Sequence, residues 1–176
     1  MKKLINLLLI ATLIIIGCAK TEKNNTDVLN GQYVEKNKDG IVKTVGNFVN
    51  NERDGLFIYF DNKGKLQAQE NYKKNQLHGE QVTIHNTGKI KSLINYENGV
   101  KSGVYAKYYK TGKLQESGAH INDTKDGEII WYYDNGEKNI LYTYEKGVLN
   151  GPTKIFSKEG EVLEEGNYKN GQQITN

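Results

Sequence analysis

Hydrophobic and polar positions repeat along the chain with a period of 24 residues from Gly31 onward, and six copies fit without an insertion or a deletion. Each copy begins with a glycine, continues with a short run rich in aromatic and β-branched residues, and reaches a second glycine nine positions later. A second β-prone run then leads to a ring eight residues further on. Short β-prone runs between glycine-containing turns predict strands, so each copy predicts one β-hairpin.

The glycine pairs mark the turns of these hairpins, because glycine adopts positive φ without a Cβ clash. They account for twelve of the 19 glycines: Gly31, Gly40, Gly55, Gly64, Gly79, Gly88, Gly103, Gly112, Gly127, Gly136, Gly151 and Gly160. We interpret all twelve as structural residues of the repeat.

Six hairpins in tandem predict an all-β fold, an elongated single-layer antiparallel meander over residues 31–176. With neighbouring strands about 4.8 Å apart, the sheet would be roughly 50 to 60 Å long, with open edges only at its two ends. Charged residues stand in the terminal copies where other copies carry rings, as at Glu35 and Lys36 in the first copy. Lys154, Glu164 and Glu165 give the last copy the same character, which favours capping of both edges.

Alternation divides the side chains of each hairpin between two faces of the sheet. Counting the leading glycine as zero, we expect the fifth position to lie opposite the eleventh across the hairpin and to form the structural core. The second, fourth and sixth positions belong to the other face, and there we expect aromatic anchors for a protein partner. These candidate anchors are Tyr59, Tyr105, Tyr109, Trp131 and Tyr133. The alternative is that these rings pack only against their neighbours in a strongly twisted sheet.

Two segments carry a resemblance to a known family: LHGEQVTIHNTGKIKSLINYENG at 77–99 and KSGVYAKYYKTGKLQESG at 101–118. The sequence resembles the variant MORN repeat (membrane occupation and recognition nexus), and the resemblance extends over residues 31–174. Bacterial chains of this kind are similar to the YwqK-type family, whose members are labelled antitoxins. The resemblance implies a β-hairpin scaffold, and it implies an antitoxin or immunity protein that neutralises a specific toxin as one possible function.

The first 18 residues differ in character from the repeats. Lys2 and Lys3 precede an apolar stretch at 4–16, which is short for a membrane span, and Gly17 and Cys18 follow directly. This pattern predicts a lipoprotein signal peptide at 1–17 and a lipidated Cys18, with a plain secretory signal as the alternative. Residues 18–30 are polar and predict a flexible tether. We therefore expect a lipid-anchored protein of the cell envelope, held at the outer membrane if the cell has one.

Composition and motifs narrow the function further. Cys18 is the only cysteine, so no intrachain disulfide is expected in the repeats. The formal charge of +3 falls to near neutrality once Lys2 and Lys3 are removed with the signal, so neither a nucleic-acid partner nor a basic stripe for phospholipid is expected.

No catalytic or metal-binding motif is recognisable, and no cofactor or metal is expected. The three histidines, His78, His85 and His120, fall at different repeat positions and do not predict a shared metal site. Asp39, Asp54 and Asp126 each precede a glycine and predict turn residues, as does His78.

The sequence thus predicts a non-enzymatic, protein-binding scaffold. The antitoxin role is the alternative, and the export signal restricts it to a toxin that acts in the envelope or arrives from outside. An enzyme is the third class, and the oligomeric state is not predicted.

Overall fold

The computed structural model describes residues 28–174, and the predicted signal peptide, Cys18 and most of the predicted tether lie outside the described residues. The described chain forms a single sheet of 16 antiparallel strands. Within residues 28–174 no helix has the length and hydropathy needed to cross a membrane.

The strands follow the 24-residue period of the sequence. Their bounds are β1 (Gly31–Lys36), β2 (Val42–Val49), β3 (Glu52–Arg53), β4 (Gly55–Phe60), β5 (Leu66–Lys73), β6 (Gln76–Leu77), β7 (Gly79–Ile84), β8 (Ile90–Glu97), β9 (Val100–Tyr108), β10 (Leu114–Ile121), β11 (Thr124–Lys125), β12 (Gly127–Tyr132), β13 (Lys138–Glu145), β14 (Val148–Phe156), β15 (Val162–Lys169) and β16 (Gln172–Ile174).

Long strands pair with their neighbours in chain order from β1 to β16, and the two-residue strands β3, β6 and β11 extend the sheet beside β2, β5 and β10. At the ends of the third and fifth copies the equivalent residues are continuous with β9 and β14, which begin three residues before the next leading glycine. The predicted all-β antiparallel meander of hairpin repeats is confirmed.

The predicted pairing of the fifth and eleventh positions is also confirmed. Phe60 lies opposite Leu66, and the other hairpins repeat this register. Immediately afterwards Tyr59 lies opposite Ala68, so the residue at the twelfth position, Gln67 in this copy, has no partner across the hairpin. Every hairpin carries this β-bulge, which increases the local twist of the strand pair.

The turns between successive copies form a second regular feature. Asn98 and Gly99 have φ values of 50° and 88°, and a type I′ turn requires both to be positive. The Gly99 N–H donates to the Leu77 carbonyl at 2.8 Å, which joins this turn to the chain 22 residues earlier. The five equivalent bonds run from Asn51 to Leu29, Asn75 to Arg53, Asp123 to Lys101, Gly147 to Lys125 and Gly171 to Leu149. The turns are therefore stacked along one side of the sheet.

Side chains reinforce this stack of turns. Asp126 accepts a hydrogen bond from the Lys146 N–H at 3.0 Å, and His78 Nδ1 accepts one from the Asn98 N–H. Contrary to the expectation from the sequence, neither residue is itself part of a turn; both stand just before a leading glycine and act as hydrogen-bond acceptors for the turn of the following copy. The last residues of the predicted tether join the stack, since the Leu29 N–H donates to Asn51 Oδ1 and the Asn50 N–H to Asn30 Oδ1, both at 2.7 Å.

Between copies the strand ladder is interrupted around each leading glycine. Asn71 bridges one such gap, because its Nδ2 donates to the Glu80 carbonyl at 3.0 Å, and Asn95 Nδ2 donates to the Val104 carbonyl at 2.7 Å. In the fifth copy the Thr143 hydroxyl donates to the Pro152 carbonyl at 2.8 Å. In these three copies the sixteenth position of the repeat supplies a polar side chain that satisfies a backbone carbonyl the ladder leaves unpaired.

The expectation for the core face is wrong. Three of the four buried hydrophobic side chains stand at the second position, Phe57, Tyr105 and Ile129, with exposed fractions of 1%, 4% and 0%. The residues at the fifth position of the second to sixth copies are only half-buried. The better-packed face of the sheet is therefore the face that the sequence analysis assigned to partner binding.

Candidate binding face

One face of the sheet, which we call the ring face, gathers most of the aromatic side chains. It consists of the second and fourth positions of each first strand, the thirteenth, fifteenth and seventeenth positions of each second strand, and the twenty-second position that precedes the next leading glycine. Since the sheet has a single layer, burial on this face comes from neighbouring side chains of the same face.

Glycines at the fifteenth position explain the deepest burial. A Cβ at Gly46 would lie 2.6 Å from Cζ of Phe57, so the Phe57 ring rests directly on the backbone of the preceding copy. Gly118 has the same relation to Ile129, whose Cδ1 is the nearest atom to a Cβ placed there. A large side chain of one copy therefore fits over a missing side chain of the copy before it.

The first two copies form an aromatic cluster on the ring face. Its rings meet edge to face, with centroid distances of 5.2 Å for Tyr33 and Phe48, 5.5 Å for Phe48 and Phe57, and 5.3 Å for Phe57 and Tyr72. The Arg53 guanidinium covers this cluster at 5.3 Å from the Phe57 ring and 5.2 Å from the Tyr72 ring.

Tyr59 stands at the border of this aromatic cluster, and its hydroxyl is already engaged. It lies 3.4 Å from the Tyr72 hydroxyl and from Nη1 of Arg53. Burial raises the pKa of the Tyr59 phenol above its usual range, and the hydrogen bond with Tyr72 acts in the same direction. Tyr59 is half-buried, so only part of the ring is open to a partner.

The fourth copy places a buried carboxylate in the middle of the ring face. Glu116 is 6% exposed, and its carboxylate accepts hydrogen bonds from the Tyr105 hydroxyl at 2.6 Å and from Lys107 Nζ at 2.7 Å. Lys125 Nζ lies 3.4 Å from the same group. Burial alone would raise the pKa of Glu116, but the bonds from Lys107 and Tyr105 outweigh it and hold the pKa below its ordinary value of 4.5.

His120 lies beside this carboxylate, with its ring 4.5 Å from that of Tyr105. Its buried Nδ1 has no hydrogen-bond partner among the described residues. Burial lowers the pKa of His120 below 6.5, and the charges of Lys101, Lys125 and Lys107 lower it further. His120 is therefore neutral at pH 7.

The fifth copy forms a more open part of the ring face. Trp131 meets Tyr142 edge to face at 5.7 Å, and Lys125 Nζ lies 4.6 Å from the Trp131 ring centroid. A groove of about 170 Å³ lies beside these rings and is lined by Tyr109, Gln115, Trp131, Tyr132, Asn139, Ile140 and Tyr142. The side-chain amides of Gln115 and Asn139, both bulged residues at the twelfth position, make no hydrogen bond within residues 28–174.

The predicted anchors differ in what the structure leaves available. Tyr105 is buried and bonded to Glu116, so it serves internal packing, as the alternative interpretation of the rings predicts. Tyr109 and Tyr133 are half-buried and donate their hydroxyl hydrogens to the carbonyls of Tyr132 and Phe156, 23 residues further on. These two bonds tie successive copies together. Trp131, also half-buried, lines the groove together with Tyr109.

Sequence reasoning missed several residues of this face. Arg53, Lys125 and Glu116 were not singled out, although the twenty-second position is basic in three copies and the thirteenth position is glutamate in two, which was the available signal. Gly46 and Gly118 lie outside the twelve paired glycines, and that irregularity was the available signal for the two deepest packing contacts. Within residues 28–174 no group of three or more His, Cys, Asp or Glu side chains is arranged to hold a metal ion.

Comparison with known proteins finds one matching family model. A family model described as "MORN repeat variant" matches residues 53–74, 77–98, 125–146 and 149–170, which together make up half of the chain. No curated protein matches the chain. Among solved structures, the crystal structure of a GtfA/B complex bound to UDP and GlcNAc is similar with 12% identity and a TM-score of 0.27. The match covers 70% of this chain but only 25% of that one, and a TM-score this low does not indicate a shared fold.

Proposed function

The chain belongs to the family of MORN repeat variants, and from this premise we propose that it is a lipid-anchored, non-enzymatic scaffold that binds a protein at the cell envelope. The observation that carries the proposal is the groove beside Trp131. An apolar floor with a few free polar groups at its rim is the usual composition of a binding site, and tryptophan is among the residues that contribute most to interface affinity.

The groove combines what a protein side chain needs. Trp131, Ile140 and Tyr142 offer apolar area, while Gln115 and Asn139 present donors and acceptors that are not used internally. A volume of about 170 Å³ suits one large side chain of a partner rather than a whole small ligand. We therefore assign the contact to an apolar or aromatic side chain of a protein.

Capture of envelope and secreted proteins by the full-length chain, purified in detergent, tests this proposal. Trp131→Ala and Gln115→Ala are expected to lose the partner, since both remove a wall of the groove. Gln67→Ala is the matched control, because Gln67 is an exposed glutamine at the same repeat position in another copy. A partner retained by all three variants would contradict the proposal.

The antitoxin role remains the alternative function and makes a different prediction for the captured protein. If the partner inhibits growth when produced alone in the envelope and is neutral when produced with this chain, the scaffold is an immunity protein. A partner without toxicity would contradict the antitoxin role and would be consistent with the general scaffold function.

The proposed anchor rests on Lys2, Lys3, the apolar stretch at 4–16 and Cys18. Acyl chains on Cys18 give stable membrane attachment, because two or more chains on one residue bind a bilayer far more tightly than one. Cys18→Ser is expected to abolish labelling by radioactive fatty acid and to release the protein from the membrane fraction. Unchanged labelling in the variant would contradict lipidation at Cys18.

A further inference from the structure

The long edge of the sheet that carries the turns within each copy has an uneven charge. We call it the turn edge, and it comprises residues 37–43, 61–67, 85–91, 109–115, 133–139 and 157–163. In an antiparallel meander these six turns all lie on the same side, opposite the stacked turns between copies.

The first four turns are basic and the last two are acidic. The first four contain eight lysines and two aspartates, whereas the last two contain two lysines and four acidic residues. The lysines of the first four turns are Lys38, Lys43, Lys63, Lys65, Lys89, Lys91, Lys110 and Lys113. The acidic residues of the last two are Asp134, Glu137, Glu159 and Glu161. A chain that is nearly neutral overall thus has an edge with two ends of opposite sign.

The eight lysines form no ion pair within residues 28–174. All except Lys43 are exposed, and Lys43 donates to Asn62 Oδ1. Every ion pair among residues 28–174 involves lysines outside this group. Lys89 and Lys113 donate hydrogen bonds to backbone carbonyls of the next turn, those of Thr111 and Asn135. Their ammonium groups therefore lie along the turn edge. Repulsion among these like charges favours an anionic partner.

The spacing of the turns suggests the form of that partner. Successive turns are two strands apart, about 9.6 Å along the edge. An extended polypeptide advances about 3.3 Å per residue, so every third residue of an extended segment meets a new turn. Carboxylates at every third position could therefore contact each of the four basic turns in succession.

We propose that the turn edge binds an extended acidic segment of a protein partner, with carboxylates over the first four turns and basic residues over the last two. This inference rests on the proposed scaffold function and names the chemistry of its partner. A flat anionic membrane or a nucleic acid of uniform charge would also meet the acidic turns, which would repel it. A linear segment of mixed charge avoids this repulsion, because its basic residues can lie over the acidic turns. The same charge pattern fixes the direction in which the segment binds along the edge.

The test uses a fluorescent 18-residue peptide with glutamate at every third of its first twelve positions and two lysines near its carboxyl end. A peptide of the same composition with scrambled order, and vesicles of phosphatidylcholine with phosphatidylglycerol, are the comparison probes. Binding to the full-length chain in detergent is measured by fluorescence anisotropy, and vesicle binding by co-flotation.

Two triple variants separate the edge from overall charge. Lys65, Lys91 and Lys110 are exposed and make no side-chain hydrogen bond or ion pair within the described residues, so their replacement by glutamine spares the fold. Lys73, Lys146 and Lys169 lie on the opposite side, and their replacement by glutamine gives the same change in charge.

We expect the turn-edge variant to bind the ordered peptide at least tenfold more weakly than the parent, and the control variant to bind within twofold of the parent. Equal losses in both variants, equal binding of the scrambled peptide, or absence of peptide binding would overturn the proposal. Vesicle binding that is lost only in the turn-edge variant would overturn it in favour of a membrane contact. Because Trp131 is intact in every variant, partner capture through the groove is tested separately, and failure of one proposal does not imply failure of the other.

Discussion

At the residue scale, Glu116 is the side chain whose surroundings most restrict its chemistry. Its carboxylate is buried and bound by Lys107, Lys125 and Tyr105. Glu116→Gln is expected to lower the free energy of unfolding by about 1–3 kcal/mol at pH 7, because charge-assisted bonds are replaced by weaker ones. Both lysines are partly exposed, which keeps the loss below that of a fully buried pair. Urea unfolding followed by tryptophan fluorescence measures it.

The same substitution has a pH signature. Since the folded-state pKa of Glu116 lies below 4.5, its contribution to stability is complete above that pH and is lost as pH falls through the folded-state value. The difference in stability between parent and Glu116→Gln should therefore shrink from pH 7 to pH 3. A difference that stays constant over this range would show that Glu116 is not an ionised partner of the lysines.

For His120 we expect a substitution to raise stability rather than to lower it. This residue stands where four other copies have tyrosine and one has phenylalanine. Its folded-state pKa lies below 6.5, so the unfolded chain takes up the proton first and stability is lost as pH falls below about 6.5. His120→Phe should raise stability by about 1 kcal/mol at pH 7 by removing the unpaired Nδ1, and by more at pH 5. A variant less stable than the parent at pH 5 would refute this account.

Individual anchors could not be ranked from the sequence for a physical reason. Alternation shows which side chains share a face but not which face is better covered, and in a single-layer sheet both faces carry apolar residues. Which face is better covered depends on neighbours across strands, such as Gly46 of the preceding copy beneath Phe57 or Glu116 beside Tyr105. Those neighbours are known only once the register between copies is known.

At the scale of the element, the contact of Phe57 with Gly46 is a test of how copies fit together. Gly46 does not have a positive φ, so Gly46→Ala acts through crowding alone, and a Cβ 2.6 Å from Cζ of Phe57 is too close. The substitution should cost about 1–3 kcal/mol of stability. In a Phe57→Leu background the smaller side chain leaves room, and the cost of Gly46→Ala should fall by at least half. Equal costs in both backgrounds would show that the two residues do not interact.

Hairpins were predictable from the sequence, but the interruption of the strand ladder between successive copies was not. The paired glycines, the ring column and period-two alternation set each strand and its register, since glycine conformation and alternation are local properties. The interruption of the ladder at each leading glycine depends on bonds between copies, and the asparagine column at Asn47, Asn71, Asn95 and Asn167 does not stand out in a chain rich in asparagine. Only the structure shows Asn71 and Asn95 bridging those gaps.

At the scale of the whole molecule, net charge was a poor guide to the surface. The sum over the chain is close to neutral, and the sequence analysis therefore expected no basic stripe. The meander separates residues by repeat position, so lysines that are scattered in sequence come together on one edge. Charges summed by repeat position, rather than over the whole chain, make the turn edge visible in the sequence itself.

The array also predicts how the molecule responds to loss of a whole copy. Strands pair only with strands of their own or an adjacent copy, so stability is a sum of copies and of the interfaces between them. Deleting residues 79–102, one period, brings the second copy against the fourth in an equivalent register and should leave a folded sheet shortened by about 10 Å. Circular dichroism and small-angle X-ray scattering check both points. Deleting only 79–90 removes one strand and one turn, so the next strand would run in the wrong direction and the sheet should not form. If the two deletions were equally folded, or equally unfolded, the copies would not be the independent units that the register implies.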